Sequence, residues 1–174
     1  MSVGAKFAGM LKFALLAGCA ALVLTGCNEE DLLPNDPRLI GTWSTGCFNE
    51  FPGGATPDLV ETFTITSTSW TSVNYDYSTN DGTCSTGEVL ADSGTGSFVT
   101  GGSVAAMLGV APVTANTIDF HATGFDLYSI YYIDEAANPD VLYIGDETAT
   151  VGLDGSAPDK RPTELQDWKP RPKQ

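Results

Sequence analysis

The sequence predicts an all-β protein, an antiparallel up-and-down barrel of eight strands. Three observations carry this. Strand formers (Thr, Val, Ile, Tyr, Phe, Trp) recur in short runs through most of the 174 residues. Clusters of Gly, Asn, Asp, Ser and Pro separate the runs. No window holds a convincing 3.6-residue apolar period, so no amphipathic helix is expected. Consecutive antiparallel strands remove their exposed edges by closing into a barrel.

The N-terminal segment is of another kind. Residues 1–12 carry Lys6 and Lys12, and residues 13–24 are an uninterrupted apolar run. These are the n- and h-regions of a secretory signal. The run is shorter than the roughly 20 residues a membrane-spanning helix needs. Leu24-Thr25-Gly26-Cys27 resembles the bacterial lipobox. The resemblance implies a diacylglycerol on the Cys27 thiol, cleavage before Cys27, and a lipid-anchored protein of a bacterial cell envelope. Leu16-Ala17-Gly18-Cys19 fits the same pattern. It leaves too short an h-region after Lys12, and it would open the mature chain with apolar residues. Cys27 is followed at once by Asn28-Glu29-Glu30-Asp31, a polar tether. One acyl chain holds a membrane only marginally; bacterial lipoproteins carry two or three, which implies a lasting anchor. Asn28 in place of aspartate points to the outer membrane.

The expected organisation is a signal peptide (1–26), an acidic tether (27–37), a barrel domain (38–165) and a basic tail (166–174), expected in solvent, with contact to headgroups or folding back on the acidic body as the alternatives. Beyond residue 26 there are six basic residues against all 22 acidic ones, a formal net charge of −16. Such a body repels phosphate backbones, which excludes nucleic acid as a partner, and suits a basic partner protein. With Cys19 removed and Cys27 acylated, Cys47 and Cys84 remain as an even pair in an oxidising compartment, and a disulfide between them is expected.

The strands follow in order. Residues 39–48 form the first, with Leu39, Gly41, Trp43 and Cys47 on one face. Residues 60–66 form the second, with Phe63 and Ile65 opposite Thr62, Thr64 and Thr66, the alternation of a half-buried strand. Residues 70–77 form the third, with Val73, Tyr75 and Tyr77 together. Asn80-Asp81-Gly82 reads as a hairpin turn. The fourth and fifth cover 84–91 and 96–100. Residues 101–115 are apolar but flanked by glycine and proline, and break the rhythm as a lid, a short helix or a crossover. Residues 116–123 resume a strand, with Ile118, Phe120 and Ala122 inward and Asp119 and His121 outward. Residues 125–133 and 141–145 complete the count.

Gly41-Thr42-Trp43, preceded by Leu39, resembles the first-strand signature of lipocalins and of lipocalin-like bacterial lipoproteins. The resemblance implies a lipocalin-like barrel over about residues 38–165, its floor closed by Trp43 with an arginine across the ring, a cation–π contact. Arg161 is the first candidate for that arginine and Arg171 the second. It also implies a small apolar ligand inside the barrel.

No catalytic constellation emerges. His121 is the only histidine, and Asp134-Glu135 and Asp146-Glu147 read as solvated turn charges. Asn74, Asp76, Ser78, Asn80 and Asp81 alternate oxygen ligands, but an EF-hand from Asn74 would need glycine at residue 79 and glutamate at residue 85, where the chain has threonine and serine. Neither metal nor cofactor is expected. Tyr75, Tyr77, Tyr128, Tyr131, Tyr132 and Tyr143 either line a cavity or stand as ordinary strand residues. The sequence predicts no enzyme. It predicts a membrane-anchored barrel that binds a small apolar ligand or, alternatively, a filled barrel that serves as a protein-interaction module, an envelope scaffold or hydrolase inhibitor.

Overall fold

A computed structural model describes residues 35–49, 58–78 and 82–174. The described chain is all-β, and its antiparallel sheet curls into a nearly closed barrel. The strands are β1 (Gly41–Ser44), β2 (Asp58–Ile65), β3 (Ser69–Tyr77), β4 (Val89–Leu108), β5 (Ala111–Ala122), β6 (Phe125–Asp134), β7 (Val141–Ile144), β8 (Glu164–Leu165) and β9 (Arg171–Pro172). The first seven pair in chain order, and β9 pairs with β7. The ring returns to its start through a bridge between Trp43 and Lys173 and a hydrogen bond from the Gln174 amide to the Thr42 carbonyl (2.9 Å).

Alternation decides what fills the barrel, because successive side chains point to opposite faces. Trp43 lies opposite Phe63, Ile65 opposite Trp70, and Phe98 opposite Phe120. These residues, with Leu39, Ile118, Tyr131, Ile133 and Leu142, form the main buried cluster. Phe63, Trp70 and Phe120 meet one another at ring-centroid distances of 5.6–5.8 Å. Such contacts add about 0.5–1.5 kcal/mol each beyond area burial. The Trp70 indole donates to the Ser97 carbonyl (3.0 Å), and the Trp43 indole to the Leu39 carbonyl (2.8 Å).

Residues 89–91 of the expected strand 84–91 and all of 96–100 belong to a single strand, β4, while residues 84–88 precede it outside the sheet. Its glycines are not turn residues. A Cβ at Gly94 would sit 3.1 Å from the Trp70 ring, so the missing side chain is the space in which that indole lies.

Residues 101–115 are neither lid, helix nor crossover. They complete β4 and begin β5, joined by a tight turn in which Gly109 takes a φ of +56°. The pairing slips between Thr100 and Ser103, where Gly101 and Gly102 interrupt the ladder. The extra residue reverses the facing of everything beyond it. Val104, Ala106 and Leu108 therefore leave the barrel interior. They pack outside it with Val113, Ala115, Ile130, Tyr132, Tyr143 and Leu165 in a second apolar cluster. β8 covers that cluster, pairing in parallel with β4 and bridging to Gly145.

The basic tail expected at 166–174 is also corrected. Arg171 is 3% exposed and Lys173 bridges to β1. These residues close the barrel because an acidic partner, Glu61, waits inside it.

Candidate functional site

Above the aromatic layer the barrel interior turns polar. Glu61 is two residues from Phe63 on β2 and shares its inward facing. Arg171 on β9 lies opposite Leu142, which faces the core. The Arg171 Nε donates to Glu61 Oε1 (2.6 Å) and the Lys169 Nζ to Oε2 (2.5 Å). The remaining Arg171 nitrogens donate to the Gln166 side-chain oxygen and the Lys169 carbonyl, both at 3.0 Å. Burial alone would raise the Glu61 pKa, but Arg171 and Lys169 outweigh it and hold the carboxyl below its ordinary value.

Glu147 enters from the turn after β7. It accepts a hydrogen bond from the Ser129 hydroxyl (3.2 Å), whose residue is fully buried. Burial raises the Glu147 pKa; the backbone amide, Ser129 and the more distant Arg171 offset only part of that rise. The end of the barrel is covered by the segment carrying these cations. Lys169 Nζ stands 5.2 Å from the centre of the Phe48 ring, Trp168 lies 6.5 Å from the same ring, and the Trp168 indole donates to Asp146 (3.2 Å). Chemically, the cluster is a latch. One carboxylate is matched by two cations, and a second, protonatable carboxyl is held in poorly solvated surroundings.

A second polar group ties down the other end. The Tyr131 hydroxyl donates to Asp36 (2.9 Å), and Arg38 bridges Asp36 (2.6 Å) and Glu135 (3.1 Å). Burial raises the Asp36 pKa, yet the hydrogen bonds from Arg38 and Tyr131 bring it below its ordinary value. The Asn35 side chain accepts from the Thr100 amide (3.0 Å) and donates to the Phe98 carbonyl (3.1 Å), which fastens the end of the tether to β4.

The residues singled out in the sequence fare differently. Cys27 lies outside the described residues. Cys47 and Cys84 form a disulfide with Cα atoms 5.6 Å apart. Trp43 is fully buried, but the cation over its ring is Lys173, with Nζ 5.0 Å from the centroid. Arg161 does not reach it. It lies over Tyr128 (5.3 Å), pairs with Asp119 (2.5 Å), and donates to the carbonyls of Ile118 and Ser129. The reason is topological: the segment carrying Arg161 runs beside β5 and β6, whereas Lys173 follows β9, the neighbour of β1. Gly41 makes room for this, since a Cβ there would meet the Lys173 stem at 2.8 Å. Arg171, the second candidate, is committed to Glu61.

His121 pairs with Asp126 across the β5–β6 turn (2.8 Å) on an exposed face. Asp134 caps the Ala136 amide and Glu135 meets Arg38, as turn charges do. Glu147 departs from the expectation of a solvated charge, because the turn after β7 points it at Ser129. Four of the six tyrosines fall into three different surroundings. Tyr131 is in the core, Tyr132 and Tyr143 stack at 6.3 Å in the outer cluster, and Tyr128 lies under Arg161. Among the described residues, Cys47, Asp58 and Cys84 are grouped closely enough to suggest a metal, but the two sulfurs are spent on each other. The sequence reading missed the Glu61 latch. The signal for it was present: one acidic residue in register with Phe63 and Ile65 on an inward face.

No family model, curated protein or solved structure matches the chain.

Proposed function

We propose that this chain is a lipid-anchored protein of a bacterial cell envelope, held by lipid on Cys27 and probing its surroundings as a protein-interaction module. The lipobox-like Leu24-Thr25-Gly26-Cys27 supports the anchor. The observation that carries the interaction reading is the filled interior, in which the mutually contacting rings of Phe63, Trp70 and Phe120 occupy the middle of the barrel. Those three rings take up interior space that a carrier of apolar ligands would keep open, and the layer above them is ionic. A lipocalin-like closure by Trp43 and a cation serves stability in this reading. The partner is a basic protein of the envelope, matched to 22 acidic residues against eight basic ones.

Two measurements test this. Intact mass of the membrane-extracted chain reports diacylglycerol on Cys27, and Cys27→Ala releases the protein from membranes. Cross-linking in envelope extract should then capture a basic partner at low salt and lose it at high salt, because screening shortens the reach of surface charge. Saturable binding of fatty acids or lipids to the purified barrel, displacing none of its aromatic core, would overturn the interaction reading in favour of a carrier.

A further inference from the structure

We infer that the β4–β5 hairpin is a second membrane contact, a neutral apolar finger that rests in the interface of the bilayer holding the lipid on Cys27. This rests on the anchor proposed above. From Ser93 to Ile118 the chain has no Asp, Glu, Lys, Arg or His, in a protein whose mature part is otherwise strongly acidic. An antiparallel hairpin packed on one face is normally polar on the other. Here Ala106 and Ala115 are buried in the outer cluster, and the opposite face is also neutral and largely apolar. Ala105 pairs with Thr114 and Met107 with Pro112, all four exposed. At the tip Val110 is 97% exposed and Met107 36%. Two acids lie beside the tip: Glu164 pairs with Met107, and the Asp167 carboxylate stands 2.7 Å from where a Cβ on Gly109 would sit.

The tether selects the bilayer as the occupant. Asn35 is bonded to Phe98 and Thr100 on this same strand. Cys27 precedes it by eight residues, a reach of about 28 Å. Val110 follows Thr100 by ten residues, at most about 33 Å along the strand. The two lengths are comparable, so the tether is long enough for one bilayer to take both the lipid and the tip. Charge agrees: carboxylates elsewhere on the surface are repelled by anionic headgroups and costly to desolvate, whereas the hairpin's own residues carry none and only Glu164 and Asp167 adjoin them.

The test uses the full lipidated chain in phosphatidylcholine vesicles, with Val110→Cys carrying an environment-sensitive fluorophore and the disulfide left oxidised. A matched label at Val151, equally exposed on a loop, is the control. Mass spectrometry reports the lipid on Cys27 in each sample. The expected result is a blue shift and at least twofold quenching by brominated lipid at residue 110, little at residue 151, and loss of the effect on adding Met107→Asp. A chain lacking lipid on Cys27 overturns the anchor and this inference with it. A lipidated chain whose residue 110 stays unquenched, or is quenched no more than residue 151, overturns the inference alone. A blue shift without lipid quenching also overturns it, and assigns the finger to a protein contact.

Discussion

Replacing Arg171 with methionine keeps most of the side-chain volume and removes one charge from the barrel interior. Glu61 would then face Lys169 alone, and Gln166 would lose its donor. The side chains of Arg171 and Glu61 are 4% and 13% exposed, so water replaces little of what is lost. Breaking a buried pair by removing one partner costs about 3–5 kcal/mol, chiefly because the survivor's charge is left uncompensated. With Lys169 still in place the low end is expected, about 3 kcal/mol, a fall of roughly 1–3 M in urea midpoint. The double variant Glu61→Gln with Arg171→Met removes the pair but leaves Lys169 without its carboxylate, so it recovers only part of the loss. The two sites should still couple by more than about 1 kcal/mol. Urea titration followed by tryptophan fluorescence reports both. A loss under about 0.5 kcal/mol for the single variant, or additive losses in the double, would show that residues 166–174 are a solvated tail and that the latch holds nothing.

Further expectations follow from the same geometry. Opening the disulfide with Cys47→Ser and Cys84→Ser should cost about 4 kcal/mol in the loop-entropy account for a 37-residue separation, read as a lower urea midpoint under oxidising conditions and no change under reducing ones. Phe120→Ala removes the ring that both Phe63 and Trp70 contact, and should cost about 3–5 kcal/mol with loss of near-ultraviolet circular dichroism; retention of both would mean the barrel centre is not packed. The two interior carboxyls should respond to pH with opposite sign. The folded pKa of Glu61 is below 4.5, so its contribution is complete above that value and is lost as pH falls through the folded pKa. That of Glu147 is raised above 4.5, so the unfolded chain releases the proton first and stability declines as pH rises from 4.5 through the folded value. Glu147→Gln should therefore remove that decline and raise the urea midpoint at neutral pH; a lower midpoint there would reverse the assignment.

Much of the barrel was legible because alternation is a local signal. Phe63 and Ile65 against Thr62, Thr64 and Thr66 specify the faces of β2 without reference to any other strand. What was hidden depends on partners distant in sequence. Asp92-Ser93-Gly94 carries the residues of a turn, yet it lies within β4 because Trp70 crosses there. Gly101-Gly102 looks like the end of a strand. It is instead the slip that turns an apolar segment from the inside of the barrel to the outside, where β8 covers it. The basic residues at the C-terminus read as solvated because their counter-charge, Glu61, is 110 residues away from Arg171.

The cation over Trp43 shows the limit most sharply. Burying the Trp43 indole leaves its π-face in want of a partner, and an acidic chain with five basic residues after Asp159 has few to offer. Which of them serves is decided by strand order, not by residue type. Arg161 is the better match in chemistry, since guanidinium stacks on rings more readily than ammonium, but it leaves a loop beside β5 and β6 and meets Asp119 and Tyr128 first. Lys173 is the poorer match, yet it follows the strand that closes the ring against β1, and Gly41 clears its path. The Gly-Thr-Trp signature thus specifies a need and a space beside it, and the topology of the closing strand selects the residue that fills it.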